Sequence, residues 1–271
     1  SSRARAWSLR ITTLVGSLLL FALLFEGIAR LVPIPAPVRL RDGIYVTRLP
    51  LVSAKPRFER TPPSEDPLPR EKVPGELRIF VYGESSVEGA PFGPEGSGSA
   101  LLHDLLAPVL TDRLLTVVNM GIGASNLLDT FYYLIESERY APDIIVVYQG
   151  NNEEYVLAGE RCLPAEHSTA HALWRAAVRN SRFLWILRAY AGALSISATS
   201  FGMKDGRLMN PPPPDCVWEE AFGAWTDIVL GEARRVGART IVLTPVRSPM
   251  AMVEFDGLFD SSSGSLGERL S

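Results

Sequence analysis

The segment LRIFVYGESS, residues 77–86, decides the fold of this chain, because it has the pattern of a buried strand followed at once by a polar turn. Two further segments repeat this design: LLTVVNMGIGA at residues 114–124 and DIIVVYQGNNE at residues 143–153. Continuous apolar runs of this length are typical of strands buried on both faces of a sheet. A fourth strand is predicted at residues 239–246, with the sequence RTIVLTPV.

Helical patterns separate these strands. Leucines at helical spacing predict a helix from Gly98 to Leu110, and Ser125 is a candidate N-cap for a helix from Asn126 to about Ser137. A third helix is predicted over residues 217–236. Strands that alternate with helices predict an α/β fold with a doubly wound, flavodoxin-like parallel sheet and right-handed crossovers.

The N-terminal region carries a membrane signal. Residues 11–25, ITTLVGSLLLFALLF, contain no charge and would span ~22 Å as a helix. Trp7 and Arg10 suit the membrane interface, and Glu26 and Arg30 have the spacing of a helical ion pair. We therefore predict a transmembrane anchor at residues 1–34. A cleaved signal peptide is the alternative, although no clean cleavage site follows the apolar run.

Proline content predicts the organisation of the remaining chain. Many of the 21 prolines fall between the anchor and the first strand, which predicts a tether over residues 35–75. Residues 76–271 then form the main domain, with a helical insertion at about 156–216. The insertion holds a stretch rich in aromatic residues and arginines at Trp174–Tyr190. Either it covers the sheet with its arginines in water, or it forms a lid or a surface against lipid headgroups or a partner protein.

The overall composition excludes several classes of function. The chain has 271 residues and a formal net charge of -3, which argues against a nucleic-acid-binding protein. The chain has two cysteines and no nearby histidine cluster, which argues against a metal site. Outside the cytoplasm, Cys162 and Cys216 could close a loop of ~54 residues and stabilise the fold by ~3–4 kcal/mol. Two unrelated buried thiols are the alternative.

The three polar turns together suggest an ester-hydrolase site, because loops at the carboxyl ends of parallel strands are where ligands bind. Ser85 follows a strand and a glycine and is the candidate nucleophile. The second loop offers backbone N–H groups at residues 121–124, and the third offers the side-chain amide of Asn152. Such donors would surround one point, as stabilisation of an oxyanion requires. No cofactor is predicted.

These motifs resemble those of the SGNH (GDSL-like) hydrolase family over about residues 76–247. Residues 83–85 are similar to the Gly-Asp-Ser block, with glutamate in place of aspartate. Residues 119–124 and 150–153 are similar to the second and third blocks. The resemblance implies that the Ala124 N–H and the Asn152 amide are the oxyanion donors. The motif GESS at residues 83–86, followed by GNNE at residues 150–153, looks like the membrane-anchored bacterial branch of the family.

The fourth family block, Asp-x-x-His, carries the general base and is absent from this sequence. The chain has three histidines, and none follows His171. We expect His103 to be an ordinary helix residue far from the strand ends. His167 and His171 lie in the insertion and would have to reach within ~3 Å of the Ser85 hydroxyl to replace the base.

Two functions therefore stand at this point. The first is an anchored domain without hydrolase activity that serves as a structural or binding subunit of a membrane complex. It would contact lipid and other membrane subunits through the anchor helix and the Trp174–Tyr190 stretch. The second is an active serine esterase or deacetylase of acylated envelope glycans, with its histidine in a segment missing here. The resemblance places the main domain in the periplasm, on a single-pass inner-membrane anchor.

Overall fold

A computed structural model describes the backbone of most of this chain, and it confirms the predicted fold class. The described residues are 2–32, 36–47, 66–123, 125, 127–150, 169–187, 203–204, 207–208 and 218–243. Six strands form one sheet: β1 (Val38–Arg41), β2 (Ile44–Val46), β3 (Leu77–Gly83), β4 (Leu115–Gly121), β5 (Ile144–Tyr148) and β8 (Arg239–Leu243). A separate antiparallel pair consists of β6 (Met203–Lys204) and β7 (Arg207–Leu208).

The order of the strands identifies the sheet as doubly wound. The order is β1-β2-β4-β3-β5-β8, and all pairings except that of β1 with β2 are parallel. The chain passes from β3 to β4 on one side, and β5 then lies on the other side of β3. The winding direction therefore reverses at β3, which is the position where open α/β sheets form a ligand crevice.

Helices cover both faces of this sheet. The helices of the described residues are α1 (Ser2–Leu31), α2 (Ser85–Glu88), α3 (Gly98–Leu106), α4 (Leu127–Ser137), α5 (Thr169–Asn180), α6 (182–187) and α7 (Trp218–Val236), of which α1 precedes the sheet and does not cover it. Phe80 and Tyr82 of β3 point into a core with α4 and α7, whereas Ile79 and Val81 pack with α3 on the opposite face. This alternation explains why β3 is apolar along its whole length.

Several element boundaries differ from the predicted ones for local reasons. Helix α3 ends at Leu106 and not at Leu110, because Pro108 cannot continue a helix. Its N-cap is Ser97, whose hydroxyl accepts a hydrogen bond from the Ala100 N–H at 3.2 Å. Strand β4 runs from Leu115 to Gly121 and so includes the first residues of the predicted loop segment 119–124. The described part of the fourth predicted strand ends at Leu243.

A larger difference lies in the range predicted to be a tether. Residues 36–47 contain the β1–β2 hairpin, and β2 pairs in parallel with β4. Ile44 and Leu40 are buried, and they pack with Ala100 of α3. Sequence reasoning missed these strands because they are only four and three residues long and are flanked by prolines. The hairpin extends the sheet beyond β4.

The predicted anchor forms one continuous helix, α1. Residues Trp7–Leu31 are long and apolar enough to cross a membrane, with a mean hydropathy of 2.0, and a signal sequence near the N-terminus would pass the same test. The predicted ion pair is confirmed, since Arg30 Nε lies 2.8 Å from Glu26 Oε1. Glu26 also accepts hydrogen bonds from the backbone N–H groups of Arg182 and Phe183. The last turns of α1 thereby bind the start of α6.

The described part of the insertion covers α4 and α7. Val178 and Trp185 are buried in the main core, and the Trp185 indole donates to the carbonyl of Tyr132. The arginines do not simply lie in water, because Arg179 pairs with Glu232 and Arg182 pairs with Glu136. Trp185 is therefore a packing residue, which makes it a poor probe for binding to a partner.

We expect the fold to weaken in acid partly through Glu76, which is buried beside Arg78. Burial raises the pKa of Glu76, but hydrogen bonds from Arg78, Thr116 and the Val73 N–H outweigh it and hold the pKa below the ordinary 4.5. The carboxylate thus contributes stability that is present above pH 4.5 and lost as the pH falls through the lowered pKa.

Urea denaturation at about pH 7 and about pH 3 tests this expectation. The variant Glu76→Gln should lose stability at neutral pH and show a weaker pH dependence than the wild type. Glu95→Gln, at an exposed position, is the control and should follow the wild type. An unchanged pH dependence in Glu76→Gln would contradict the assignment.

Candidate functional site

The three predicted polar turns meet at one edge of the sheet. Gly83 at the end of β3 is in register with Gly121 of β4 and with Tyr148 of β5. Their following residues therefore emerge side by side at the carboxyl edge, on both sides of the strand where the winding reverses. The predicted juxtaposition of the first and second loops and the start of the third is present in the fold.

Ser85 is the first residue of the short helix α2. The preceding residue, Glu84, has an extended backbone with φ -92° and ψ -154°, so the chain turns sharply between strand and helix. Ser85 is half-buried, and its hydroxyl has no hydrogen-bond partner among the described residues. No described residue therefore binds the hydroxyl of the predicted nucleophile.

Two glycines allow α2 to lie directly on the strand ends. A Cβ on Gly121 would lie 2.5 Å from the carbonyl carbon of Val87 and 2.8 Å from the Cα of Glu88. A Cβ on Gly83 would lie 2.6 Å from the carbonyl oxygen of Tyr148. Ordinary contacts are longer than this, so only glycine permits the approach. The two glycines set the position of Ser85 relative to the sheet.

Asn119 and Ser125 fasten the second loop to the first. The Asn119 amide donates to the carbonyl of Val87 at 2.7 Å and its oxygen accepts from the Gly121 N–H at 2.8 Å. The Ser125 hydroxyl donates to the carbonyl of Gly83 at 3.0 Å. Helix α4 begins at Leu127, one residue later than predicted, so Ser125 is not at the position directly before the helix. Its hydroxyl joins the two loops, and its predicted role as an N-cap is not confirmed.

Glu84 fastens the third loop. Its side chain is buried, and one carboxylate oxygen accepts a hydrogen bond from the Gly150 N–H at 2.9 Å. The adjacent Gln149 is also buried and donates to Thr130 at 2.8 Å. Sequence reasoning noted Glu84 only as a replacement for aspartate; its position between a strand and the candidate nucleophile was the available signal of a structural role.

The other predicted site residues lie outside the described residues. They are Ala124, Asn152, His167 and the two cysteines, Cys162 and Cys216. Only the backbone of His171 is described, within α5. The roles of Ala124 and Asn152 as oxyanion donors, and the pairing of the cysteines, therefore remain predictions.

His103 lies at the opposite edge of the sheet from Ser85, as expected. Its ring lies beside Gly43, where an added Cβ would be 3.0 Å from His103 Cδ2 and 2.9 Å from the carbonyl oxygen of Leu115. Leu115 begins β4 and Gly121 ends it, a separation of roughly 20 Å in a strand. His103 therefore cannot accept the proton of Ser85. Among the described residues, no group of acidic, histidine or cysteine side chains has the arrangement of a metal site.

The chain is similar in structure to several solved hydrolases. AlinE4, described as an SGNH-hydrolase family esterase, is 15% identical, with a TM-score of 0.30 over 70% of this chain and 86% of AlinE4. LAE5, an alpha/beta hydrolase enzyme from the metagenome of Lake Arreo in Spain, is 15% identical, with a TM-score of 0.32 over 70% of this chain and 85% of LAE5.

A variant of Axe2, an acetyl xylan esterase from Geobacillus stearothermophilus, is 17% identical, with a TM-score of 0.30 over 61% of this chain and 75% of Axe2. No protein-family model matches the chain, and neither does any curated protein. At 15–17% identity, the similarity to these proteins is one of fold alone.

Proposed function

We propose that the protein is a membrane-anchored serine ester hydrolase in which Ser85 is the nucleophile. The observation that carries this proposal is the placement of Ser85 where the winding of the sheet reverses, with a hydroxyl that no described residue binds. Other serines nearby have structural roles: Ser97 caps α3, and Ser125 bonds to the carbonyl of Gly83. A serine on a sharp turn packed by glycines is the arrangement that nucleophilic catalysis needs.

The reaction follows from the chemistry of such a site. The Ser85 oxygen attacks the carbonyl carbon of an acyl ester, and its proton passes to a general base. The alcohol then leaves, and water cleaves the acyl-serine to release the acid and restore the hydroxyl. We assign the oxyanion to the Ala124 N–H and the Asn152 amide, and the base to a histidine outside the described residues. Acylated envelope glycans are the proposed substrate class.

Anchoring by α1 is part of the proposal. Glu26 caps α6 through the N–H groups of Arg182 and Phe183, and Ala29 is only 4% exposed. Phe25 also stacks on Phe183, with ring centroids 5.3 Å apart. These contacts favour a helix that stays with the domain over a signal peptide that is removed, because removal would leave the start of α6 without its cap. We place the domain outside the cytoplasm.

Covalent labelling tests the nucleophile. We expect a fluorophosphonate probe to form an adduct at Ser85, detected by peptide mass mapping, and p-nitrophenyl acetate to be hydrolysed. Both signals should disappear in Ser85→Ala, because no other hydroxyl occupies this position. Ser86→Ala, which changes the exposed neighbour in the same helix, should keep both. A folded wild type that neither forms the adduct nor hydrolyses the ester would reject the hydrolase.

That negative result would favour a second candidate, a domain without activity that acts as a subunit of a membrane complex. One observation favours it: His103, the histidine whose side chain is described, lies at the wrong edge of the sheet for catalysis. Leu173 and Trp174 of the insertion are 65% and 39% exposed and are better probes of a partner surface than the buried Trp185. Their replacement by serine should then weaken co-purification with the complex in mild detergent.

A further inference from the structure

A cavity of about 360 Å³ lies where the last turn of α1 meets the insertion and the end of α4. Its lining is dominated by arginine side chains from four separate parts of the chain. The charged lining residues are Arg30, Arg70, Arg139, Arg179, Arg182 and Glu136. This cavity is distinct from the candidate ester-hydrolase site, because Glu136 is near the end of α4 that is remote from the Ser125 loop.

The cavity carries an excess of positive charge. Arg139 and Arg182 share one carboxylate, since they lie 3.5 Å and 2.8 Å from the oxygens of Glu136. Arg30 pairs with Glu26, outside the cavity lining, at 2.8 Å. Arg70 forms no ion pair with any described residue. The lining therefore has fewer carboxylates than guanidinium groups, and an added anion would be stabilised there.

Charge repulsion within the lining is visible at Arg182. Burial lowers the pKa of Arg182, and the neighbouring charges of Arg139 and Arg70 lower it further, while Glu136 acts in the opposite direction. Burial likewise raises the pKa of Glu136, although the arginines around it oppose this. Arg30 and Arg179 are offset by Glu26 and Glu232, but Arg139 and Arg182 have only Glu136 between them. Arg70 adds a further positive charge, so the cavity favours an additional anionic group.

Two buried donors in the lining also lack acceptors. The Nε–H groups of Arg139 and Arg179 are buried and have no hydrogen-bond partner among the described residues. The side chains of Arg139 and Arg182 are only 23% and 17% exposed, so water reaches them poorly. An unsatisfied buried donor is costly, and a phosphate oxygen accepts strong, charge-assisted hydrogen bonds from guanidinium groups.

The position along α1 indicates where the anion comes from. Phe25 ends the uncharged run of the helix, and Arg30 lies five residues later, about 7.5 Å further along the axis. The headgroup layer of a bilayer is roughly 5–8 Å thick on each side of the hydrocarbon core. With the centre of the apolar run at the bilayer midplane, Arg30 lies about 18 Å from that plane, just outside the ~15 Å half-thickness of the hydrocarbon core. The cavity then opens at the depth of the lipid phosphates. This step rests on the anchor in the proposed function.

We propose that the arginine-lined cavity binds the phosphate of an anionic phospholipid headgroup. The lipid phosphate accepts hydrogen bonds from the Arg139 and Arg70 guanidinium groups, while its acyl chains lie along α1 in the bilayer. Trp185 lies beside the site, with the Arg182 guanidinium 5.1 Å from its ring centre. A bound lipid would hold the globular domain in one orientation on the membrane surface.

Lipid-dependent stability of the full chain in nanodiscs tests the proposal. Nanodiscs of phosphatidylcholine alone are compared with nanodiscs that contain one third phosphatidylglycerol. We expect a higher melting temperature with phosphatidylglycerol, and retention of that lipid on the protein in native mass spectrometry. Arg70→Gln with Arg139→Gln should weaken retention about 10-fold or more, because hydrogen bonds between charged groups are lost.

Matched controls separate the lipid from other causes. Arg113→Gln removes an exposed arginine paired with the adjacent Asp112, and it should retain the lipid like the wild type. Arg70→Gln alone changes an exposed side chain and should still reduce retention without unfolding the domain. Equal melting temperatures in the two nanodiscs, or equal retention by Arg70→Gln with Arg139→Gln, would overturn the proposal.

Two further measurements are needed. One distinguishes a lipid phosphate from a free anion, and the other distinguishes failure of the lipid site from failure of the membrane anchor. The first adds inorganic phosphate or glycerol 1-phosphate to the detergent-solubilised protein. If either raises the melting temperature by as much as phosphatidylglycerol does, the cavity binds free anions and the lipid proposal is overturned. The intact mass of protein recovered from membranes reports whether α1 is retained. Labelling of Ser85 is independent of both, so loss of lipid binding with intact labelling rejects the lipid site alone.

Discussion

A single methyl group at Gly121 is expected to displace the candidate nucleophile and to slow its labelling about 100-fold. The added Cβ of Gly121→Ala would overlap the backbone of Val87 and Glu88, which belongs to a helix and cannot rotate away as a side chain would. Helix α2 must therefore move by about 1 Å, and Ser85 at its start moves with it. Displacements of that size in an active site cost on the order of 100-fold in rate.

The same substitution should also destabilise the fold by about 1–3 kcal/mol, the usual cost of overpacking. The rate of fluorophosphonate labelling and the urea midpoint are the two measurements. Gly98→Ala is the matched control, because its Cβ would have nothing within 4 Å and the position lies in helix α3. It should label normally and be as stable as the wild type or slightly more so. Normal labelling of Gly121→Ala would show that α2 does not position Ser85.

The central sheet could be predicted because its signals are local. Strands β3, β4 and β5 are continuous apolar runs, and each ends at a polar turn that marks the carboxyl edge. Because α3 and α4 pack on opposite faces of the sheet, right-handed crossovers put β4 and β5 on opposite sides of β3. The element boundaries were less exact, since α3 ends early before Pro108, β4 runs on to Gly121, and α4 begins at Leu127. A long apolar run identifies a buried strand from the residues of that segment alone.

The hairpin and the end of the anchor could not be predicted in this way. Strands β1 and β2 are too short to show a period, and Ile44 is buried only because β4 and α3 are present. Glu26 was predicted to pair with Arg30, which is four residues away, and it does so. Its bonds to residues 181–183 join segments more than 150 positions apart, and no pattern within either segment indicates them.

In the candidate site, too, local motifs could be predicted and tertiary contacts could not. Ser85 and the glycine-rich second loop were recognised from short motifs, whose spacing is local. The side chains that fasten the loops were not assigned these roles, because Asn119 and Glu84 act on partners from other strands. A motif gives the residues of a site, and tertiary contacts decide what holds each of them in place.

Arg78 is the residue whose loss should weaken the fold most. Its side chain is 1% exposed and binds both carboxylate oxygens of Glu76, at 2.6 Å and 3.0 Å. The guanidinium also donates to the carbonyls of Arg70, Glu71 and Tyr140. It thus ties the segment before β3 and the turn after α4 to the amino edge of the sheet, opposite the candidate site.

Replacing Arg78 with alanine is expected to cost about 3–5 kcal/mol in the free energy of unfolding, because it leaves the Glu76 carboxylate buried without its charge partner. Three carbonyl groups lose their donor at the same time. Urea denaturation followed by tryptophan fluorescence measures the loss. Arg78→Lys keeps the charge but not the planar array of donors, so it should fall between alanine and the wild type. Arg113→Ala removes an exposed pair and should change the stability by less than about 1 kcal/mol. If Arg78→Ala and Arg113→Ala were equally mild, the buried network would not stabilise this edge of the sheet, and the segment before β3 would be held by its apolar contacts alone.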